Sequence, residues 1–126
     1  MDLNGERIQK IMKKIHNDWR LPTIKELLTL IDYENKSNKI KDYSSGYYWS
    51  STTYKRSTKS AWFVHFGSGY VDNYTKTNSF YVRCIRESKK GKFHWSKTAS
   101  NKMNWKEALE YAKDLKEKTY YKGEDI

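Results

Sequence analysis

Four residues bound the chemistry open to this chain: Cys84, His16, His65 and His94. An enzyme needs a poised nucleophile with a base beside it, or a set of clustered metal ligands. A lone cysteine permits no internal disulfide and no C-x-x-C motif. Cys84 stands in a strand-like run between Arg83 and Ile85, where a small buried hydrophobe is expected rather than a reactive thiol. The three histidines lie far apart in sequence, so no metal site and no cofactor are expected. His65 falls inside a second strand-like run, where a surface-facing ring is expected rather than a catalytic base. The residue inventory thus predicts a protein that is not an enzyme.

What the chain does offer is charge and aromatic rings. Its formal net charge is +10, and it holds five Trp and eleven Tyr. In the middle of the chain Lys55, Arg56, Lys59 and Lys76 are opposed only by Asp72. Lys55, Arg56 and Lys59 share one loop without a nearby acid, which suits contact with a polyanion; a loop kept basic for solubility is the competing account. Tyr54 adjoins that loop, and Tyr70 and Tyr74 belong to the hairpin that precedes Lys76. Tyrosine supplies contact area at low entropic cost, and Lys and Arg suit sulfate, phosphate or carboxylate. Tyr54, Lys55, Arg56, Lys59, Tyr70, Tyr74 and Lys76 are therefore the expected ligand-binding residues, gathered in one exposed patch. The expected partner is a sulfated glycan or an acidic protein surface. Nucleic acid is disfavoured, because no recognition motif accompanies the charge.

The elements that must position these residues begin with a sheet. Trp62, Val64 and Phe66 alternate with His65, and period-two alternation of aromatic and β-branched residues reads as strand. Gly67-Ser68-Gly69 supplies the reversal. Residues 70–74 read as the returning strand and 80–86 as a third, with Trp62 and Cys84 in the sheet core. Upstream, Tyr47-Tyr48-Trp49-Ser50-Ser51-Thr52 opens the sheet. Two helices carry local start signals. Thr23 with Glu26 forms a T-x-x-E capping box ahead of the stripe Ile24, Leu27, Leu28 and Ile31. Asn104 with Glu107 does the same ahead of Trp105, Ala108, Leu109, Ala112 and Leu115, a face expected to run to about residue 118. A further amphipathic helix is expected over 6–15. A polar loop is expected over 34–42, and a strand over 93–96 is expected to pair with 81–86 through a turn at 89–92.

Three stretches carry a family resemblance. Asp18-Trp19-Arg20-Leu21-Pro22-Thr23-Ile24-Lys25-Glu26-Leu27, then Tyr48-Trp49-Ser50-Ser51-Thr52, then Val82-Arg83-Cys84-Ile85-Arg86 resemble, in order and spacing, the Lcl C-terminal domain family, a bacterial family of largely unknown function. The resemblance covers about residues 17–88. It implies an α+β, C-type-lectin-like fold: a small antiparallel sheet with two or three flanking helices, distantly similar to the formylglycine-generating enzyme. That enzyme works through active-site cysteines, whereas Cys84 matches a structural strand. Trp19, Arg20, Pro22, Thr23, Glu26, Trp49, Trp62, Arg83, Cys84 and Arg86 are accordingly read as structural, the arginines forking onto carboxylates or carbonyls and the tryptophans serving first as core rings. The E-P-N and Q-P-D motifs of calcium-dependent lectins are absent.

The sequence departs from the family in one respect. An opening strand and a W-x-x-A-x-x-Y helix normally precede the D-W-R-L-P-T motif; here their counterparts lie at 93–97 and 105–112. The chain is thus read as circularly permuted or as a piece of a tandem array. Its length fits one domain, 1–118, with 119–126 as a flexible tail. No apolar run reaches the roughly 18 residues of a membrane span. No signal peptide is visible, although the resemblance implies that a parent protein is often exported. The expected function is a non-enzymatic binding module. The alternative is a structural repeat of a larger surface protein, without a ligand of its own.

Overall fold

A computed structural model describes residues 15–16, 18–33, 37–38, 46–118 and 121–122. Within them the chain forms a small mixed α/β domain of antiparallel sheets and two helices. The strands are β1 (Ile15–His16), β2 (Ile31–Asp32), β3 (Ser37–Asn38), β4 (Gly46–Thr53), β5 (Ser60–Phe66), β6 (Val71–Thr75), β7 (Arg83–Glu87), β8 (Phe93–Thr98), β9 (Glu117–Lys118) and β10 (Tyr121–Lys122). The helices are α1 (Ile24–Leu28) and α2 (Trp105–Asp114). The expected helix over 6–15 lies outside the described residues except for Ile15, which pairs in β1 with β9. Most of the expected loop over 34–42 lies outside them too, although Ser37–Asn38 pairs with β2.

The expected single sheet is in fact two three-stranded sheets, ordered β4-β5-β6 and β10-β8-β7. Strand 80–86 was expected to continue the first. Instead Tyr81 makes only a parallel bridge to Tyr48 at the β4 edge, and from Arg83 the chain crosses to pair with β8. The β7–β8 hairpin sits where the sequence places it. Arg86 pairs with His94 and Glu87 with Phe93, across a turn in which Gly91 adopts φ +78°. Within the expected tail, Tyr121–Lys122 adds to β8.

β5 is covered on both faces, which breaks the simple alternation. Val64 and Phe66 pack with Tyr48, Leu27 and Leu30, on the side of α1. Ala61 and Phe63 point the other way and pack with Trp49, Cys84, Ala108 and Ala112, on the side of α2. Trp62 shares the face of Val64 and Phe66 but is not enclosed with them. It is half-buried on the rim, edge-on to Tyr54 with ring centroids 5.3 Å apart. Cys84 is fully buried, as expected, and its amide donates to Ser96 Oγ at 2.9 Å.

Both capping boxes form. The Glu26 amide donates to Thr23 Oγ1 at 3.2 Å, and the Thr23 amide to Glu26 Oε1 at 2.8 Å. Asn104 and Glu107 repeat the exchange, each at 2.9 Å. Both helices end earlier than their apolar stripes suggest. α1 stops at Leu28, because Ile31 is taken into β2, and Leu30 fills the core beside Leu27. α2 stops at Asp114, because Leu115 turns extended and Glu117–Lys118 joins β1. Pairing with a distant strand outweighs a few tenths of a kcal/mol of helix propensity per residue. Among the described residues no helix is long and apolar enough to cross a membrane.

Candidate ligand-binding surface

The three motif stretches meet one another. Arg20 bridges Ile85 through two backbone hydrogen bonds of 2.9 Å. The Ser51 amide donates to the Pro22 carbonyl at 2.7 Å, and the Ile24 amide to Thr52 Oγ1 at 2.9 Å. These contacts fall where the β4–β5 register shifts between Trp49 and Thr53. An irregular strand leaves backbone groups unpaired that must be satisfied elsewhere. Here the motif Arg20-Leu21-Pro22-Thr23 supplies them from one side. Trp105 Nε1 supplies another from α2, donating to the Ser50 carbonyl at 2.9 Å.

Arg20 and Arg86 fork onto carboxylates. Arg20 donates to both oxygens of Glu26, at 2.6 and 2.7 Å. These bonds, working against partial burial, hold the Glu26 carboxyl below its ordinary value, helped by the Thr23 amide. Arg86 donates to both oxygens of Asp18, at 2.7 and 3.2 Å. Arg83, Trp19, Pro22 and Trp49 are buried. Arg20, Glu26, Arg86 and Asp18 thus engage each other, and the expected contact residues lie elsewhere, in the loops and on the sheet.

There the structure divides the seven expected contact residues. Lys55, Arg56 and Lys59 lie exposed in the turn between β4 and β5. Among the described residues no carboxylate pairs with them. Tyr74 is close by in register: Tyr74 pairs with Ala61, and the Lys76 amide donates to the Lys59 carbonyl at 2.8 Å. Tyr54 packs its ring on Trp62. Lys76 is committed internally. Its Nζ donates to Thr53 Oγ1 at 3.0 Å and lies 3.9 Å from the centroid of the Trp105 ring, a cation–π contact. Tyr70 sits at the opposite end of the hairpin, where its carbonyl accepts from the His65 amide. A run of several strand residues at about 3.3 Å each separates it from the basic turn.

A second surface emerges that sequence reading missed. Tyr47 is exposed, and it stands on the face of β4 that also carries Trp49. It joins Tyr70 and Tyr74 around Phe63 and Phe80. Alternation with Trp49 signals the face of Tyr47, but nothing local signals the floor beneath it.

Over residues 4–86, well over half of its 126 residues, the chain matches the Lcl C-terminal domain. It belongs to that family. The Lcl C-terminal match ends at Arg86, within β7, so β8 and α2 lie beyond it. No curated protein and no solved structure matches the chain. In this Lcl C-terminal domain the matched part contains α1, β4 with its irregular stretch around Ser51, and the basic turn.

Proposed function

We propose that this Lcl C-terminal domain is a non-enzymatic binding module with a C-type-lectin-like fold, and that it takes a polyanion such as a sulfated glycan at the turn of Lys55, Arg56 and Lys59. The observation that carries the reading is the exposure of three cations in one short turn, without a carboxylate partner among the described residues, on a scaffold whose Arg20 and Arg86 are engaged with Glu26 and Asp18. A rigid frame that presents a charged turn is a common basis for recognition. Against enzymatic chemistry, Cys84 is enclosed, and His65 Nδ1 is 2.9 Å from Ser68 Oγ on an exposed turn.

The test is a heparin column run on the wild type and on a Lys55→Ser, Arg56→Ser, Lys59→Ser variant, with thermal melts as the control for folding. Exposed charge contacts are screened within about 8 Å at physiological ionic strength. The wild type is expected to elute at clearly higher salt than the variant, and neither is expected to hold DNA as tightly as heparin. Elution of both proteins at the same salt would leave the domain as a structural unit of a larger protein.

A further inference from the structure

On the face of the β4-β5-β6 sheet that packs with α2, Phe63 and Phe80 form an aromatic floor at the edge of the core, with centroids 5.3 Å apart. Three tyrosines surround it. Tyr47 lies 5.0 Å from Phe63 and 5.3 Å from Phe80, Tyr70 lies 6.1 Å from Phe63, and Tyr74 lies 5.9 Å from Phe80. Their exposures are 43%, 53% and 51%. Rings of this size are usually drawn further into a fold, and three together make a patch rather than a scatter of single residues.

Asp72 stands among them. Phe63 pairs with Asp72 and Ala61 with Tyr74, so Asp72 shares the face with the rings. Its Oδ2 accepts from the Tyr70 hydroxyl at 2.5 Å, and its Oδ1 from the Asn73 amide at 2.7 Å. Those bonds, the Tyr70 hydroxyl first, hold the carboxyl below its ordinary value, so it is anionic at neutral pH. Oδ1 also accepts from Asn73 Nδ2 at 3.2 Å, so Oδ2 is the oxygen that retains a lone pair for a further donor.

We propose that the face of Tyr47, Tyr70 and Tyr74 over Phe63 and Phe80 binds an uncharged stretch of a saccharide chain, its rings stacked on the tyrosines and its hydroxyls donating to Asp72. The charges select this occupant. At contact range the Asp72 carboxylate repels a sulfate or uronate placed on this face, which directs such groups to the basic turn instead, and the net charge of +10 repels a cationic peptide. A neutral ligand with apolar ring faces and hydroxyl edges meets neither penalty. From Tyr70 to Tyr74 the strand spans about 13 Å at its usual rise, long enough for more than one sugar ring. Tyr74 stands near the basic turn and Tyr70 at the far end of the hairpin, so separate variants of the rings and of the cations distinguish the two sites.

The experiment is calorimetric titration of the full chain with neutral oligosaccharides (maltoheptaose, cellohexaose, chitohexaose and mannohexaose) at low and at high salt. At least one is expected to bind with an affinity that salt barely changes. Tyr70→Ala and Tyr74→Ala are each expected to weaken it tenfold or more, and Asp72→Asn several-fold. The triple replacement of Lys55, Arg56 and Lys59 by Ser should leave it intact. Should an alanine variant melt early, Tyr74→Phe, which keeps the stacking ring, is expected to bind, and Asp72→Asn still reads the hydrogen bond. Absence of heat with all four sugars would overturn the proposal. So would affinity that persists in both the tyrosine and the Asp72 variants, or loss of binding in the triple serine variant alone.

Discussion

The Ser51 amide donates to the carbonyl of Pro22 at 2.7 Å. One residue belongs to the irregular part of β4, the other to the extended segment that enters α1. Around that bond lie the Ile24 amide on Thr52 Oγ1 and the Trp105 indole on the Ser50 carbonyl. The three motif stretches are therefore one structural lock, closed at its other end by Arg86 on Asp18 and by the Arg20–Ile85 bridge. Their residue types answer to this lock.

Thr23→Ala should lower the unfolding free energy by about 1 kcal/mol, the usual cost of an N-cap. Its partner Glu26 adds a pH dependence. A carboxyl whose native pKa is depressed stabilises the fold above its unfolded value, about 4.3, and loses that contribution as pH falls through the depressed one. The stability gap between wild type and Glu26→Gln should thus be largest near neutrality and close in acid. Urea titrations at several pH values measure it; a gap that widened in acid would contradict the Arg20–Glu26 pairing.

Trp49→Ala should cost roughly 3–5 kcal/mol, as truncation of an enclosed ring does. Trp62→Ala should cost clearly less, because Trp62 lies half-buried on the rim. Denaturant unfolding of the two variants side by side gives the comparison, and equal losses would return Trp62 to the core.

Lys76→Met should leave heparin elution unchanged while lowering the melting temperature. The ammonium is engaged with Thr53 and the Trp105 ring, a cation–π contact of about 0.5–1 kcal/mol where partly exposed. Earlier elution without a change in melting would instead make Lys76 a ligand contact.

Gly69→Ala should destabilise the hairpin turn. Gly69 adopts φ +76°, and an added Cβ would stand 2.8 Å from the Tyr33 ring and 3.0 Å from Ile31 Cγ2. Left-handed backbone alone costs a residue with a side chain about 1–2 kcal/mol. Thermal melts read the loss, and an unchanged melting temperature would show that this turn relaxes freely.

Cys84 should resist alkylation in the native protein and react on unfolding, since no part of it reaches solvent. Rates with a thiol reagent in the presence and absence of denaturant make the measurement; fast native labelling would contradict the enclosed strand.

The sequence by itself determined whatever depends on a few neighbouring residues. Thr23 with Glu26 and Asn104 with Glu107 start their helices through contacts three residues apart. Gly67, Gly69 and Gly91 supply backbone conformations that other residues rarely adopt, and the β7–β8 hairpin follows from two strand-like runs across a short turn. Tertiary structure decided the rest. Leu28 and Asp114 end their helices because distant strands recruit the residues that follow. Trp62 stays on the rim although it shares a face with the buried Val64 and Phe66, and Ala61 and Phe63 on the other face are buried as well, so alternation no longer names an inside. Lys76 leaves the charged surface because Trp105 and Thr53 reach it, and Tyr47 joins Tyr70 and Tyr74 only through the floor of Phe63 and Phe80. Such contacts depend on which elements are packed together, and no pattern of near neighbours along the chain encodes that choice.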